Sequence, residues 1–528
     1  MEIINKTIGQ IFRETALRCP ERDAVVFHGK HCTYGELKRR VDRLVKGMAA
    51  LGIRRGSHVA VWANNRPAAL ECFLAVWSLG AVLIPVSTGC NARELNACLQ
   101  TVDAEYLIFD AGFRTTSFAP LAGAQTVVPR DRVFALEDDS SGYCTLAQVC
   151  AMGQGVSDGE LEALESLVTP DDWDCFLFTS GSSGRPHAVV TTHRSRVNNV
   201  WEQARAIDAT CQDRYCIILP MYHCFSISAI LLSAIISGGC LCFPEDRHIA
   251  TVLTTISWER CTVLSAVPTL FIAILARRDL NQYDLSSLRT GMIGGSTYPP
   301  ELFARICSEM GMTLLPSLGQ TEATAGFTSG SAEDSLELRM TTVGSFFPGV
   351  EGKIADTVTG QVCPPGTMGE ICVRGYNVMQ GYYDQGQLTC EPVDADGWLH
   401  TGDLGCLDGA GRLRYCGRIR EMINRGGERI SPAEIENVIL AYPGVYQVKV
   451  ISIPDRHYIE EICACIVMEA GRTPDLEGLK DHCRNQLAYY KVPRYFLFPD
   501  RIPLLSNGKP DGSAIRRAAI QALGLEEI

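Results

Sequence analysis

The sequence predicts an α/β protein built of several units, and three observations predict it. Over the first hundred residues helical and strand patterns alternate with short connections, the signature of a parallel sheet covered by helices. From about residue 340 to 418 the chain turns Gly-rich, with short runs (GEICVRG, WLHTGDLG, RLRYCG) that predict a β-rich subdomain. Past residue 420 a compact unit begins, in which one helical pattern precedes two strand-like runs, VYQVKVISIP and EICACIVM. A length of 528 residues holds two to four such units, at about 150 residues per domain.

Each element has a local cause. Thr33-Tyr-Gly-Glu36 is a capping box, and Leu37, Val41, Leu44, Val45 and Met48 then recur at helical spacing. HVAVWA reads as a strand, ALECFLAVWSLG as a helix ending at Gly80, and AVLIPVS as the next strand. Similar alternation continues to about residue 340. Between Tyr215 and Pro244 no residue carries a fixed charge, a stretch long enough to span a bilayer. Pro220, His223 and Gly238-Gly239 interrupt it, so a strand (CIILP), a turn, a buried helix (SISAILLSAIIS) and a strand (CLCF) are expected, with no membrane span. Ser431-Pro-Ala-Glu434 reads as a second capping box with Pro at the first helical position, and Ile435, Val438 and Ile439 follow on one face.

Composition narrows the function. Hydrophobic residues at 46% and charged residues at 20% exclude wholesale disorder. With 48 Lys plus Arg against 60 Asp plus Glu, the net charge of −12 repels a phosphate backbone, so nucleic acid is not expected as a partner. The 23 cysteines run from Cys19 to Cys483 without a C-x-x-C pair. Cys240/Cys242 and Cys463/Cys465 each point to one face of a strand but lack companions at zinc spacing, so core packing of reduced thiols is expected. No cysteine stands where the chemistry below needs one. The amphipathic start MEIINKTIGQIFRETALRCPER is unlike a signal peptide, and with the reduced thiols it predicts a cytoplasmic location.

The strongest chemical signal is the run Phe176-Leu-Phe-Thr-Ser-Gly-Ser-Ser-Gly-Arg-Pro186. An apolar strand end leads into Thr179, Ser180, Gly181, Ser182, Ser183 and Gly184, small residues whose backbone N–H groups and hydroxyls can close around a phosphate. A flexible Gly/Ser turn has the same composition. No Walker loop and no helix-opening G-x-G-x-x-G occurs, and the G-x-S-x-G match at Gly155–Gly159 reads as a helix cap formed by Ser157 and Glu160.

TSGSSGRP resembles the phosphate loop of the adenylate-forming superfamily, which includes acyl-CoA synthetases, luciferases and the adenylation domains of peptide synthetases. Six further motifs follow in that family's order: LPMYHCFS, the GGS of Gly294 to Ser296, LGQTEAT, GWLHTGDLG, YCGRIREMINRGGERISPAEIE and LLSNGKPD. The resemblance covers nearly the whole chain and is nearest to acyl-CoA synthetases. It implies an N-terminal adenylation domain, residues 1–418, made of two α/β subdomains and a small β-barrel-like subdomain. A small mobile C-terminal α+β domain, 419–528, would turn about a hinge at Arg420. The implied reaction joins a carboxylic acid to ATP as acyl-AMP, releases pyrophosphate, and passes the acyl group to coenzyme A.

Residue by residue, the resemblance implies an ATP/AMP site from Thr179 to Gly184 with His187, Gly295, Ser296, Leu318 and Gly319. Thr321 is matched to the α-phosphate contact and Glu322 to the Mg²⁺ ligand, a hard carboxylate beside phosphate oxygens. Asp403 is matched to the acceptor of both ribose hydroxyls, Arg418 to the ribose and phosphate contact, and Lys509 to the catalytic cation. His223, Phe225 and Gly294 fall at the acyl pocket, and Gly426 and Gly427 at the pantetheine passage.

Two positions depart from the pattern. His187 stands in place of a lysine that faces the β- and γ-phosphates, which forgoes a charge worth up to about 4 kcal/mol at contact. Leu318 stands in place of the aromatic that stacks on adenine, with weaker ATP binding as the expected result. A degenerate nucleotide-binding homologue would tolerate such losses, but Thr321, Glu322, Asp403, Arg418 and Lys509 are all present. GGERISPAEIE favours CoA as acceptor over a carrier protein or an amine, while the acid itself is left open among aryl, alicyclic and medium-chain fatty acids.

Overall fold

Alternating helices and strands in the first third of the chain build a nine-stranded sheet. The computed structural model describes residues 3–113, 116–137, 142–180, 186–425, 428–455, 458–504 and 510–525. The first helix of this sheet, Tyr34–Ala50, starts as its sequence predicts: Thr33 Oγ1 accepts the Glu36 N–H at 3.2 Å, and the Thr33 N–H donates to Glu36 Oε2 at 3.0 Å. Its Leu37, Val41, Leu44, Val45 and Met48 are buried. Strands His58–Trp62 and Val82–Pro85 pair in parallel through the helix Pro67–Ser78, and Trp173–Ser180 joins them, also in parallel.

From that strand onward the sheet turns antiparallel. Trp173–Ser180 pairs with Pro186–Thr192, which pairs with Gly381–Asp384. The loop between the first two strands carries the small-residue run, and Gly181 to Arg185 lie outside the described residues. The hairpin is bolted to the helix His193–Ala206 from beneath. Arg196, fully buried, donates from Nε to Asp174 Oδ2 at 2.9 Å, from Nη2 to Thr191 Oγ1 at 2.8 Å, and from Nη1 to the Thr324 carbonyl at 3.0 Å. Burial opposes the guanidinium charge, and Asp174 outweighs it.

His193 opens the same helix and accepts the Ile8 N–H on Nδ1 at 3.3 Å, tying the N-terminal helix Ile8–Arg18 to the hairpin. Its burial pushes its pKa down from 6.5 to about 4. The unfolded chain therefore binds a proton that the folded chain refuses. Stability is fully present above pH 6.5 and is lost as pH falls from 6.5 toward 4, by ~3 kcal/mol at the lower limit. Thermal midpoints measured between pH 7 and pH 5 should fall less steeply in His193→Gln, whose amide oxygen can still accept from Ile8. Parallel curves would assign the acid lability elsewhere.

The uncharged stretch folds into a second sheet and its cover. Cys240–Phe243 pairs in parallel with Arg214–Cys216 on one side and Asp23–Phe27 on the other, and bridges through Val263 continue the layer to Thr290–Ile293 and Thr313–Gly319. Strand structure ends at Cys216, short of the CIILP run expected. The helix expected over 226–237 is a π-helix from Ser226 to Leu232 followed by one α turn to Ser237, and Gly238 closes it at φ 79°. Serines explain the wider turn: Ser233 Oγ donates to the Ser228 carbonyl five residues back, at 2.9 Å. Among the described residues no helix is long and apolar enough to cross a membrane.

The Gly-rich segment forms an open antiparallel sheet, Val350–Ala355, Gly369–Gly375, Leu399–Leu407 and Leu413–Arg418. A short turn, Ile419–Glu421, leads into a separate five-stranded sheet built on the pair Val445–Asp455 and Ile459–Met468. Here one expectation fails. Ser431 makes no side-chain cap on the helix Pro432–Leu440; its hydroxyl donates to the Cys416 carbonyl at 2.7 Å, across the junction between the two sheets.

Candidate active site

A cavity of about 1730 Å³ opens where these layers meet. Pockets for a single small ligand run to about 1,000 Å³, so this one has room for a nucleotide and a second substrate together. The strand ends supply its polar groups. Thr179 and His187, each one residue from the end of its strand in the antiparallel hairpin, face each other in register. Gly294, Gly295 and Ser296 follow the strand Thr290–Ile293, and Gly319 ends the strand Thr313–Gly319. All six line the cavity. Gly295 holds φ 88°, a left-handed conformation that glycine adopts without strain.

Thr321 and Glu322 sit in a single 3₁₀ turn that lines the same space. Thr324, which closes the turn, holds φ 67° and is fully buried. Such a backbone persists only when its surroundings enforce it. Two bonds do so: Thr324 Oγ1 donates to the Asn377 carbonyl at 2.7 Å, and Arg196 grips the Thr324 carbonyl.

Glu322 Oε1 accepts the Tyr382 hydroxyl at 3.0 Å, and the Tyr382 ring lies 4.8 Å from the imidazole of His187. Burial and the nearby Glu322 carboxylate raise the Tyr382 phenol, so it stays a donor. A hard carboxylate oriented in this way beside an anion site suits a Mg²⁺ ion. Tyr382 carries no sequence signal beyond a Gly-Tyr-Tyr run.

On the facing sheet Arg418 forms an ion pair with Asp403, Nε lying 3.0 Å from Oδ1. Burial disfavours the Arg418 charge, but the Asp403 carboxylate holds it protonated. Arg418 lines the cavity, whereas Asp403 is 2% exposed beneath it. His223 and Phe225 line the cavity from the loop that precedes the π-helix, together with Tyr222, Val267 and Leu270.

Two expectations meet a different outcome. Leu318 does not line the cavity. Its neighbours Ser317 and Gly319 do, and strand alternation turns Leu318 the other way, onto the core of the antiparallel sheet. Secondly, one cysteine does enter the site: Cys224 lines the cavity, and its Sγ accepts the Thr321 hydroxyl at 3.6 Å. Of Ser180 only the backbone, paired with Pro186, is described, and its side chain lies outside the described residues.

Lys509, Gly181, Ser182, Ser183, Gly184, Gly426 and Gly427 lie outside the described residues. Leu504 and Pro510, on either side of the Lys509 segment, pair with each other and line the cavity, as does Arg420. Arg425, next to Gly426, is instead engaged by Glu461, Nε to Oε1 at 2.6 Å.

Comparison with known proteins gives a consistent result. Residues 12–383 match the model of the AMP-binding enzyme family, and residues 434–509 match that of the AMP-binding enzyme C-terminal domain. YngI of Bacillus subtilis (strain 168) is 35% identical over 99% of both chains. The mitochondrial medium-chain acyl-CoA ligase ACSF2 of Rattus norvegicus is 32% identical over 99% of this chain and 89% of its own. Among solved structures, o-succinylbenzoate CoA synthetase (MenE) from Bacillus subtilis, in complex with its acyl-adenylate intermediate, superposes with a TM-score of 0.81 at 26% identity, covering 97% of this chain and 99% of its own.

Proposed function

This chain belongs to the AMP-binding enzyme family, and from that membership we propose that it is an AMP-forming acid–thiol ligase. It activates a carboxylic acid with ATP to acyl-AMP and transfers the acyl group to coenzyme A. The observation that carries the reading is that one cavity gathers Thr321, Glu322, Arg418 and His223 from three separate stretches of chain. A carboxylate oxygen of the acid attacks the α-phosphorus and pyrophosphate leaves; the CoA sulfur then attacks the acyl carbon and AMP leaves.

The residues divide the work by charge. Negative charge builds on the α-phosphate oxygens, where the Thr321 hydroxyl and, once it turns from Asp403, the Arg418 guanidinium are the donors. Glu322, held by Tyr382, would hold Mg²⁺, which when bound would supply positive charge beside the phosphates. Asp403 accepts the ribose hydroxyls once Arg418 turns from it toward phosphate. His223 faces the acid's carboxylate. The stretch of wall formed by Phe225, Val267 and Leu270 is apolar and suits an alkyl chain. The name of the rat relative, a medium-chain acyl-CoA ligase, supports the same class of acid.

Acid-dependent exchange of label between pyrophosphate and ATP tests the first half-reaction, and octanoate is expected to support it better than benzoate or acetate. No exchange with any acid would leave only a nucleotide-binding role. With an accepted acid, CoA should give a thioester; product only with an amine would redirect the second half-reaction to amide formation. Restoring the missing charge gives a further expectation: His187→Lys should lower the KM for ATP by about tenfold, equivalent to ~1.4 kcal/mol of added attraction. Steady-state kinetics at fixed acid and CoA reads the change directly.

A further inference from the structure

We propose that the antiparallel sheet walling the cavity carries a binding site for a zinc-type cation, formed by Cys372, His400 and Glu370. This site is separate from the Mg²⁺ position at Glu322, and it does not depend on the acid or the acceptor. Glu370 and Cys372 are two residues apart on the strand Gly369–Gly375 and share one face. His400 lies directly opposite Cys372 on the neighbouring strand, Leu399–Leu407. Cys372 Sγ is 3.6 Å from His400 Nδ1, which is 2.8 Å from Glu370 Oε2, and the three donor atoms all lie within 4.8 Å of one another. Tetrahedral zinc, with bonds of about 2.0–2.3 Å, spaces its donors by roughly 3.3–3.8 Å. Sheet pairing has brought this set nearly to that spacing.

Contacts around the three donors point the same way. Asp394 Oδ2 lies 3.5 Å from His400 Nε2, on the side of the ring away from Cys372, and is itself fixed: Asp394 Oδ1 accepts the N–H groups of Asp396 and Trp398 at 3.0 and 2.9 Å. A carboxylate behind the far ring nitrogen is the arrangement that fixes the tautomer of a metal-binding histidine. Likewise the Gly402 N–H holds Glu370 Oε1 at 3.0 Å, leaving Oε2 to turn inward. Lys353, the cross-strand neighbour of Cys372 on its other side, places Nζ 4.2 Å from the centroid of the Trp398 ring. Its charge is engaged by the indole.

Donor chemistry selects the ion. Thiolate sulfur with imidazole nitrogen suits zinc and its congeners and is foreign to Mg²⁺ and Ca²⁺. Binding replaces the His400–Glu370 hydrogen bond with two metal bonds, and the Cys372 thiol proton passes to solvent. Cys372 is fully buried, while Glu370 and His400 line the cavity, so a fourth position opens toward bound substrate. Three protein ligands and one open position make an exchangeable site rather than a closed structural one.

The test uses the purified full chain without nucleotide, titrated with Co²⁺ and Cd²⁺ and then challenged with Zn²⁺. One Co²⁺ per chain should bind with the intense visible bands of tetrahedral coordination, and Zn²⁺ should displace it. The Cd²⁺–thiolate ultraviolet band should vanish in Cys372→Ser and survive in the Cys211→Ser/Cys390→Ser variant, which removes the two exposed thiols. Asp394→Asn, which touches no metal, should weaken binding by about 10–100-fold. If Cys372→Ser fails to fold, the half-exposed His400→Asn and Asp394→Asn still decide the question. Absence of tetrahedral bands in wild type, or an unchanged affinity in His400→Asn, would overturn the site.

Discussion

Lys509→Ala is expected to lower acid-dependent pyrophosphate–ATP exchange by about 10²–10³-fold, the usual cost of removing one group that meets developing charge. Thioester formation from synthetic acyl-AMP and CoA should change by no more than a few-fold. The two assays separate because Lys509 is proposed to serve only the step in which charge builds between carboxylate and α-phosphate. Leu504 and Pro510, the described residues on either side of it, line the cavity, while Arg425, beside the proposed pantetheine passage, is occupied with Glu461. That arrangement suits adenylation; a turn about Arg420 would then exchange the two segments for the second step. Equal damage to both half-reactions would rule out such an exchange.

Arg196→Met should destabilise the N-terminal body by about 3–5 kcal/mol, because it leaves the Asp174 carboxylate buried without its cation. The effect should reach activity as well as stability. Arg196 also bonds the Thr324 carbonyl, so the 3₁₀ turn carrying Thr321 and Glu322 loses one of the two bonds that enforce its backbone. Urea midpoints followed by tryptophan fluorescence read the stability, and pyrophosphate exchange reads the turn. The double variant Asp174→Leu/Arg196→Met removes both charges together and should recover most of the midpoint without recovering exchange. Recovery of both would reduce Arg196 to a packing residue, and recovery of neither would assign the loss to a cavity.

Much of this was legible in the residues alone. The Thr33 box, the alternation of the first hundred residues and the order of the motifs required only local rules, and the family comparison agrees with them. Loss occurred wherever a side chain chose between two partners. Ser431 and Glu434 have capping-box spacing, yet a carbonyl fifteen residues earlier in the chain takes the hydroxyl. Leu318 has the right motif position, but strand parity sends it to the other face. Arg196 carries no local signal of its role, because its partner Asp174 is on a strand and nothing in the sequence marks either as buried. Cys224 is one among 23 cysteines, and only the fold sets it against Thr321.

The cavity wall is drawn from both the large body and the residues beyond the Ile419–Glu421 turn, and this makes the two parts energetically reciprocal. Any ligand that touches both, an acyl-adenylate above all, favours one relative placement by the same free energy with which that placement favours the ligand. Loosening the junction, for instance by removing the Ser431 hydroxyl from the Cys416 carbonyl, is thus expected to shorten the residence time of the intermediate without altering any group that touches it. Tight retention of a reactive anhydride and readiness to hand it on are then set by one equilibrium, and evolution can tune it at a junction whose bonded groups do not line the cavity.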